Sequence, residues 1–181
     1  MTTGDPTLAM LLYFVMPLWL LAGIADWACH RATEIEKTSG TKESLLHLMM
    51  FVEVGIPLLA AIFLEINSLI ILLMIVAFFV HEATALWDVS YAVDQREVTP
   101  IEQHIHSFLE MIPLMAMLMV ISLNWQDFTA LFGMADQSAD FSLRWKTPPL
   151  PTGYRLTLFA AILLLVIIPY IEEFVRTLRK R

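Results

Sequence analysis

An all-α membrane bundle of about five transmembrane helices is what this sequence predicts, and three observations predict it. The first is composition. Of the 181 residues, 58% are hydrophobic and 16% charged, against roughly 45–50% and about 25% in an average soluble protein. Mean hydropathy is +0.69, and a soluble domain of this size cannot bury so much apolar surface. The second is a series of apolar windows close to the roughly 20 residues a helix needs to cross hydrocarbon. The third is what the charges and thiols exclude. A net charge of −7 leaves no basic footprint for nucleic acid. A single cysteine, Cys29, excludes a disulfide framework and a Cys-based zinc or iron–sulfur site. The chain reads as one transmembrane domain over 1–181.

The first span covers about 8–25. The flank before it carries Asp5 and no lysine or arginine, and no small-residue cleavage site follows. It is expected to stay as a helix rather than serve as a secretory signal. The second span, about 45–64, carries His47 and Glu53. The third, about 68–87, is apolar over 69–80 before it meets His81 and Glu82. The fourth, about 105–123, has His106 and Glu110 near its start. A long loop, about 124–154, holds Trp125, Phe128, Phe132, Phe141 and Trp145 and then a proline-rich run. It is expected to cap the bundle, with a short helix around 127–134 and extended chain at the prolines. The fifth span, about 156–174, has no histidine and is expected to pack outside the other four or between chains.

Orientation follows from lysine and arginine in the loops. With the N-terminus outside, eight basic residues fall on the cytoplasmic side and three on the outer side, Arg144, Lys146 and Arg155. The expected location is a plasma membrane of bacterial inner-membrane type, with the C-terminus cytoplasmic.

Ionisable residues in a bilayer are costly and face a bundle interior, a cavity or a partner. Here they are ordered. The first helix ends Asp26-x3-His30, and the second begins Glu43-x3-His47. The third ends with His81 and Asp88, seven residues apart, and the fourth begins Glu102-x3-His106. Positions four or seven apart share one helix face, so each of four helices aims two ligand types in one direction. At 1.5 Å per residue, His47 and His106 reach the same depth, and so do Asp26 and Asp88. Glu53, His81 and Glu110 lie higher. The pattern also echoes itself: Pro57 and Pro113 follow the two Glu-x3-His pairs, which suggests two related hairpins about a pseudo-twofold axis.

The candidate metal ligands are therefore Asp26, His30, Glu43, His47, His81, Asp88, Glu102 and His106. Glu53 and Glu110 are candidate proton relays, and Tyr91, one turn from Asp88, a candidate hydrogen-bond or proton donor. His104 points about 200° away from His106 and reads as a supporting or surface group. The 11 methionines read as packing residues rather than copper ligands. Cys29 adjoins His30 as an optional ligand or redox-sensitive thiol. The competing explanation is a metal-free polar network, with Arg31 and Arg96 pairing with Asp26 or Asp88.

Mixed imidazole and carboxylate donors suit iron, manganese or zinc. So many candidates exceed the need of one four-coordinate ion and match a two-metal site in a helical bundle. In placing histidines at the cytoplasmic ends of membrane helices, the chain resembles the integral-membrane di-iron oxidoreductases, the fatty-acid desaturases and alkane hydroxylases. Carboxylates here stand where those families use further imidazoles. The resemblance implies two iron ions, oxygen activation on a lipid-soluble substrate, and an external electron donor. A zinc hydrolase of a lipid amide or ester is the alternative, although His81-Glu82 is followed by Ala-Thr-Ala rather than completing HExxH. A haem protein, a metal or proton transporter and a structural membrane protein are further alternatives. The wholly apolar run over 69–80 weighs against a transmembrane pathway.

Overall fold

Each predicted span is a helix in the computed structural model, which describes residues 5–180. The extreme N-terminal flank, Met1–Gly4, and Arg181 of the basic tail lie outside the described residues. Five helices are long and apolar enough to cross a membrane: α1 (Pro6–Ala32), α2 (Gly40–Phe63), α3 (Ser68–Gln95), α4 (Pro100–Leu123) and, after a short α5 (Trp125–Ala130), α6 (Thr152–Arg179). All five run roughly one to two turns beyond the apolar windows at one end. Those extra turns carry the charged residues, which keep helical spacing after hydropathy falls. The charged residues thus gather at one end of the bundle, the cluster end, opposite the cap end.

Local chemistry sets the boundaries. Asp5 caps α1 by accepting from the backbone N–H of Thr7 at 2.8 Å, and Asn67 caps α3 through Ile70 N–H. Thr99 caps α4 through Glu102 N–H, with Pro100 at the first helical position, where its missing N–H costs nothing. Between α1 and α2 the chain turns through Glu34 and Gly40, both with positive φ. In α1 and α6 a π-turn precedes a proline: Leu11–Val15 before Pro17, and Leu163–Ile167 before Pro169. The wider turn accommodates the ring and its missing N–H without ending the helix.

The helices close a ring in the order α1, α4, α3, α2, α6 and back to α1. The expectation that the fifth span packs outside a four-helix core is therefore corrected. Its buried residues Leu158, Ile162, Val166, Tyr170, Glu173 and Thr177 form one stripe facing the interior. The exterior is studded with exposed Phe14, Leu21, Val52, Phe79, Leu86 and Leu164, as expected of a lipid-facing surface. At the cap end, residues 140–146 form a strap across the α2–α3 turn. Leu69 N–H donates to the carbonyl of Asp140, Glu65 N–H to that of Arg144, and Lys146 N–H to that of Phe63. The helix expected at 127–134 lies slightly earlier, at α5, and turns follow it.

Candidate metal centre

The helical spacing read from the sequence does bring the polar residues into one buried layer. Asp26 and His30 on α1, Glu43 and His47 on α2, Asp88 on α3, and Glu102 and His106 on α4 are each at most 7% exposed. They converge on the bundle axis at the cluster end, together with Glu173 of α6.

The centre is built around two parallel imidazoles. The rings of His30 and His47 stack with centroids 4.3 Å apart and planes 7° from parallel. The two oxygens of Glu173 divide between them: Oε2 lies 3.0 Å from His30 Nδ1 and Oε1 lies 3.0 Å from His47 Nδ1. An ionised carboxylate only accepts hydrogen bonds, so both Nδ1 atoms carry their protons. A neutral ring then presents its lone pair at Nε2.

Each Nε2 faces a carboxylate pair. His30 Nε2 is 3.4 Å from Asp26 and 3.5 Å from Glu102. His47 Nε2 is 3.3 Å from Asp88 and 4.0 Å from Glu43. His106 Nε2 stands 2.8 Å from Asp26. The echo in the sequence is visible in space: a histidine of α2 meets the aspartate of α3, and a histidine of α4 meets the aspartate of α1. Two groups of three donors each lie within 4.8 Å: Asp26, His30 and His106, and His30, Glu43 and His47.

The spacings discriminate between hydrogen bonding and coordination. Charge-assisted N–H···O bonds run about 2.7–2.9 Å. Two ligands about 2.0–2.2 Å from one ion, at a tetrahedral angle, stand roughly 3.3–3.6 Å apart. The contacts of His30 Nε2, and that of His47 Nε2 with Asp88, match the second distance. Both Nε2 atoms are buried without a hydrogen-bond partner among the described residues. These donors could hold a metal ion, whereas His106 Nε2, 2.8 Å from Asp26, stands at hydrogen-bond length.

Arg96, just beyond the end of α3, closes the layer. It reaches Glu43 with Nε at 3.2 Å and Nη2 at 2.5 Å, and Glu102 with Nη1 at 3.0 Å. Burial opposes its charge, yet the hydrogen bonds and charges of Glu102 and Glu43 hold its pKa above the ordinary arginine value. The arginine partners thus differ from those expected: Arg96 pairs with the two glutamates rather than an aspartate, and Arg31 pairs with Glu172. Tyr170 supports the layer from α6, its hydroxyl 2.9 Å from Asp26 Oδ2.

His81, Glu53 and Glu110 lie above this layer, towards the cap end. His81 is 3.8 Å from Glu53 Oε2 and, among the described residues, has no hydrogen bond at either ring nitrogen. Thr84 donates to Glu53 at 2.8 Å. His81 and Glu110 line a small cavity of about 70 Å³ whose floor includes Asp26, His47, Asp88 and His106. Tyr91 is elsewhere: its hydroxyl donates to the Ser39 carbonyl at 3.0 Å. His104 is exposed against Phe108, and the half-buried Cys29 belongs to neither donor group.

The reading of the sequence missed Glu173 and Tyr170. The signal was the spacing 158, 162, 166, 170, 173, 177, which puts both on the stripe that continues the apolar core. Comparison with protein-family models, curated proteins and solved structures finds no match to this chain.

Proposed function

We propose that the protein is a membrane-embedded two-metal oxidoreductase that activates oxygen on a lipid-soluble substrate. One observation carries the reading. His30 and His47 are fixed by Glu173 through Nδ1, and each turns Nε2 towards a carboxylate pair. A histidine whose second nitrogen is held by a carboxylate is the usual arrangement of a metal ligand. Asp26, His30, Glu102 and His106 would hold one ion, and Glu43, His47 and Asp88 the other. Mixed imidazole and carboxylate donors suit iron, manganese or zinc, and iron is the choice that fits oxygen activation, with zinc as the alternative.

Such a centre would supply redox chemistry on oxygen. Inserting one oxygen atom into a C–H bond consumes two electrons and two protons and releases water. The electrons come from an external donor, since the sequence carries no nucleotide-binding or iron–sulfur motif. The chain's own contribution is to hold donors in a layer shielded from water and to offer His81, Glu53 and Glu110 beside the cavity for proton transfer. The basic-residue count supports an orientation with the cluster end cytoplasmic.

Elemental analysis and an absorption spectrum of gently purified protein test the reading. The expected result is about two irons per chain, as in other bundle di-metal sites, without a haem Soret band. His47→Ala and His106→Ala should each lower the metal content by half or more while both variants still insert in the membrane. Zinc alone would move the assignment to a hydrolase of a lipid amide or ester. Metal-free protein from metal-supplemented medium, or full occupancy in both variants, would overturn it.

A further inference from the structure

A second and larger cavity, of about 360 Å³, occupies the bundle between the cluster and the cap. All five long helices line it. Its inner end is polar, with His81 and Glu53, and its wall is apolar, including Leu58, Ala61, Met74 and Ala116. Its outer end is formed by the strap and the proline-rich run that follows, and Lys146 lies there. His81, Trp19 and Val54 line both this cavity and the small one above the metal layer, so the two adjoin.

The dimensions describe the occupant. Lys146 N–H is bonded to the carbonyl of Phe63, ten residues along α2 from Glu53. The two poles are therefore separated by roughly 15 Å along the bundle. A cavity of this length and volume, apolar along its wall, suits one medium-length alkyl chain. A cation at one end selects the head. Lys146 is half-buried and forms no ion pair among the described residues, and burial alone lowers its pKa. A half-buried lysine without a carboxylate partner among the described residues can take a ligand anion. The nearby acid Glu65 is engaged by Arg144 at 2.8 Å.

We infer that this cavity binds a single-chain amphiphile with an anionic head, a carboxylate or a phosphate monoester, which enters from the cap end. Its head lies at Lys146 and its chain terminus at His81, next to the metal layer. This narrows the substrate class of the proposed oxidoreductase, and the reacting position becomes the far end of the chain. Binding itself requires no metal.

Quenching of Trp19 by brominated alkyl probes tests the site, in a variant that retains only that tryptophan (W27F, W87F, W125F, W145F). Dodecanoate brominated at its terminal carbon should quench saturably, in metal-stripped protein as well as loaded protein. Dodecanoate brominated beside its carboxylate should bind, by competition, without quenching. Lys146→Gln should weaken dodecanoate about tenfold, the loss of one charge-assisted contact, and Lys146→Arg should restore it. Dodecanol should be insensitive to both changes. Dodecyl phosphate in place of dodecanoate shows which head is preferred. Absence of saturable quenching, stronger quenching from the head-proximal bromine, or equal affinity in K146Q and the parent would overturn the inference. Metal analysis decides the two-metal reading independently, so the two failures are distinguishable.

Discussion

Glu173 shows how one side chain organises the centre. It lies on a helix without histidine, yet its two oxygens fix the tautomer and orientation of both stacked imidazoles. Glu173→Gln keeps the shape but replaces one acceptor oxygen by an N–H₂ group, so one imidazole loses its partner or turns. Supporting carboxylates of this kind are worth about 10- to 100-fold in metal affinity. E173Q should lose metal to a competing chelator at correspondingly lower concentration, with helical content unchanged. An unaltered competition curve would mean that Glu173 only fills space. Most of the layer was legible in the sequence because Asp-x3-His and Glu-x3-His spacings fix a helix face regardless of tertiary structure. Glu173 was not. Its partners lie 143 and 126 residues away, and a glutamate at the end of an apolar span reads as interfacial until the facing helix is known. Tyr91 failed in the opposite sense, since proximity to Asp88 along α3 says nothing of where a long side chain finds its acceptor.

At the scale of elements, the spans were legible from hydropathy and their extension into the cluster from the Asp-x3-His and Glu-x3-His spacings, but the place of α6 in the ring was not. Hydropathy falls where charged residues begin, whereas the helices continue because those residues find partners inside the ring. The strap at the cap end is likewise a tertiary product. Its backbone completes the exposed α2–α3 turn, and its shape is held by Asp140, which accepts from the backbone and hydroxyl of Ser142 and pairs with Arg144. The Ser142 hydrogen bonds, followed by the Arg144 pair, hold the Asp140 carboxyl well below its ordinary value. A depressed carboxylate pKa stabilises the fold above the unfolded value of about 4 and ceases to do so as pH falls through the folded value. Fluorescence anisotropy of Trp145, retained as the only tryptophan, should therefore be level from pH 8 to about pH 4 and fall below it. D140N should show the low value throughout. A fall near neutral pH in the parent protein would show that another group holds the strap.

The whole molecule has an electrostatic problem that neither residues nor helices solve alone. Asp26, Glu43, Asp88, Glu102 and Glu173 bring five carboxylates to one layer, each at most 3% exposed. Arg96 is the guanidinium inserted among them, its side chain 3% exposed. Two divalent ions beside Arg96 would balance five negative charges. Without the ions, the balance needs protons within the layer, and a proton on an imidazole Nε2 occupies the lone pair that coordination would use. Metal binding at this layer would be coupled to folding, because each carboxylate is contributed by a different helix of the ring. Arg96→Met separates the two sources of positive charge. In metal-free protein it leaves Glu43 and Glu102 buried without their cation, and breaking a buried pair in this way costs about 3–5 kcal/mol. Ions that bind only the folded state return about 2.7 kcal/mol at a hundredfold excess over the dissociation constant. Thermal unfolding in detergent should thus show R96M well below the parent when both are stripped. The gap should narrow when both are loaded, and the variant should hold metal at least as tightly, since Glu43 and Glu102 no longer share their oxygens with a guanidinium. A gap of the same size with and without metal would place those two glutamates outside the coordination sphere and leave Arg96 as their sole partner.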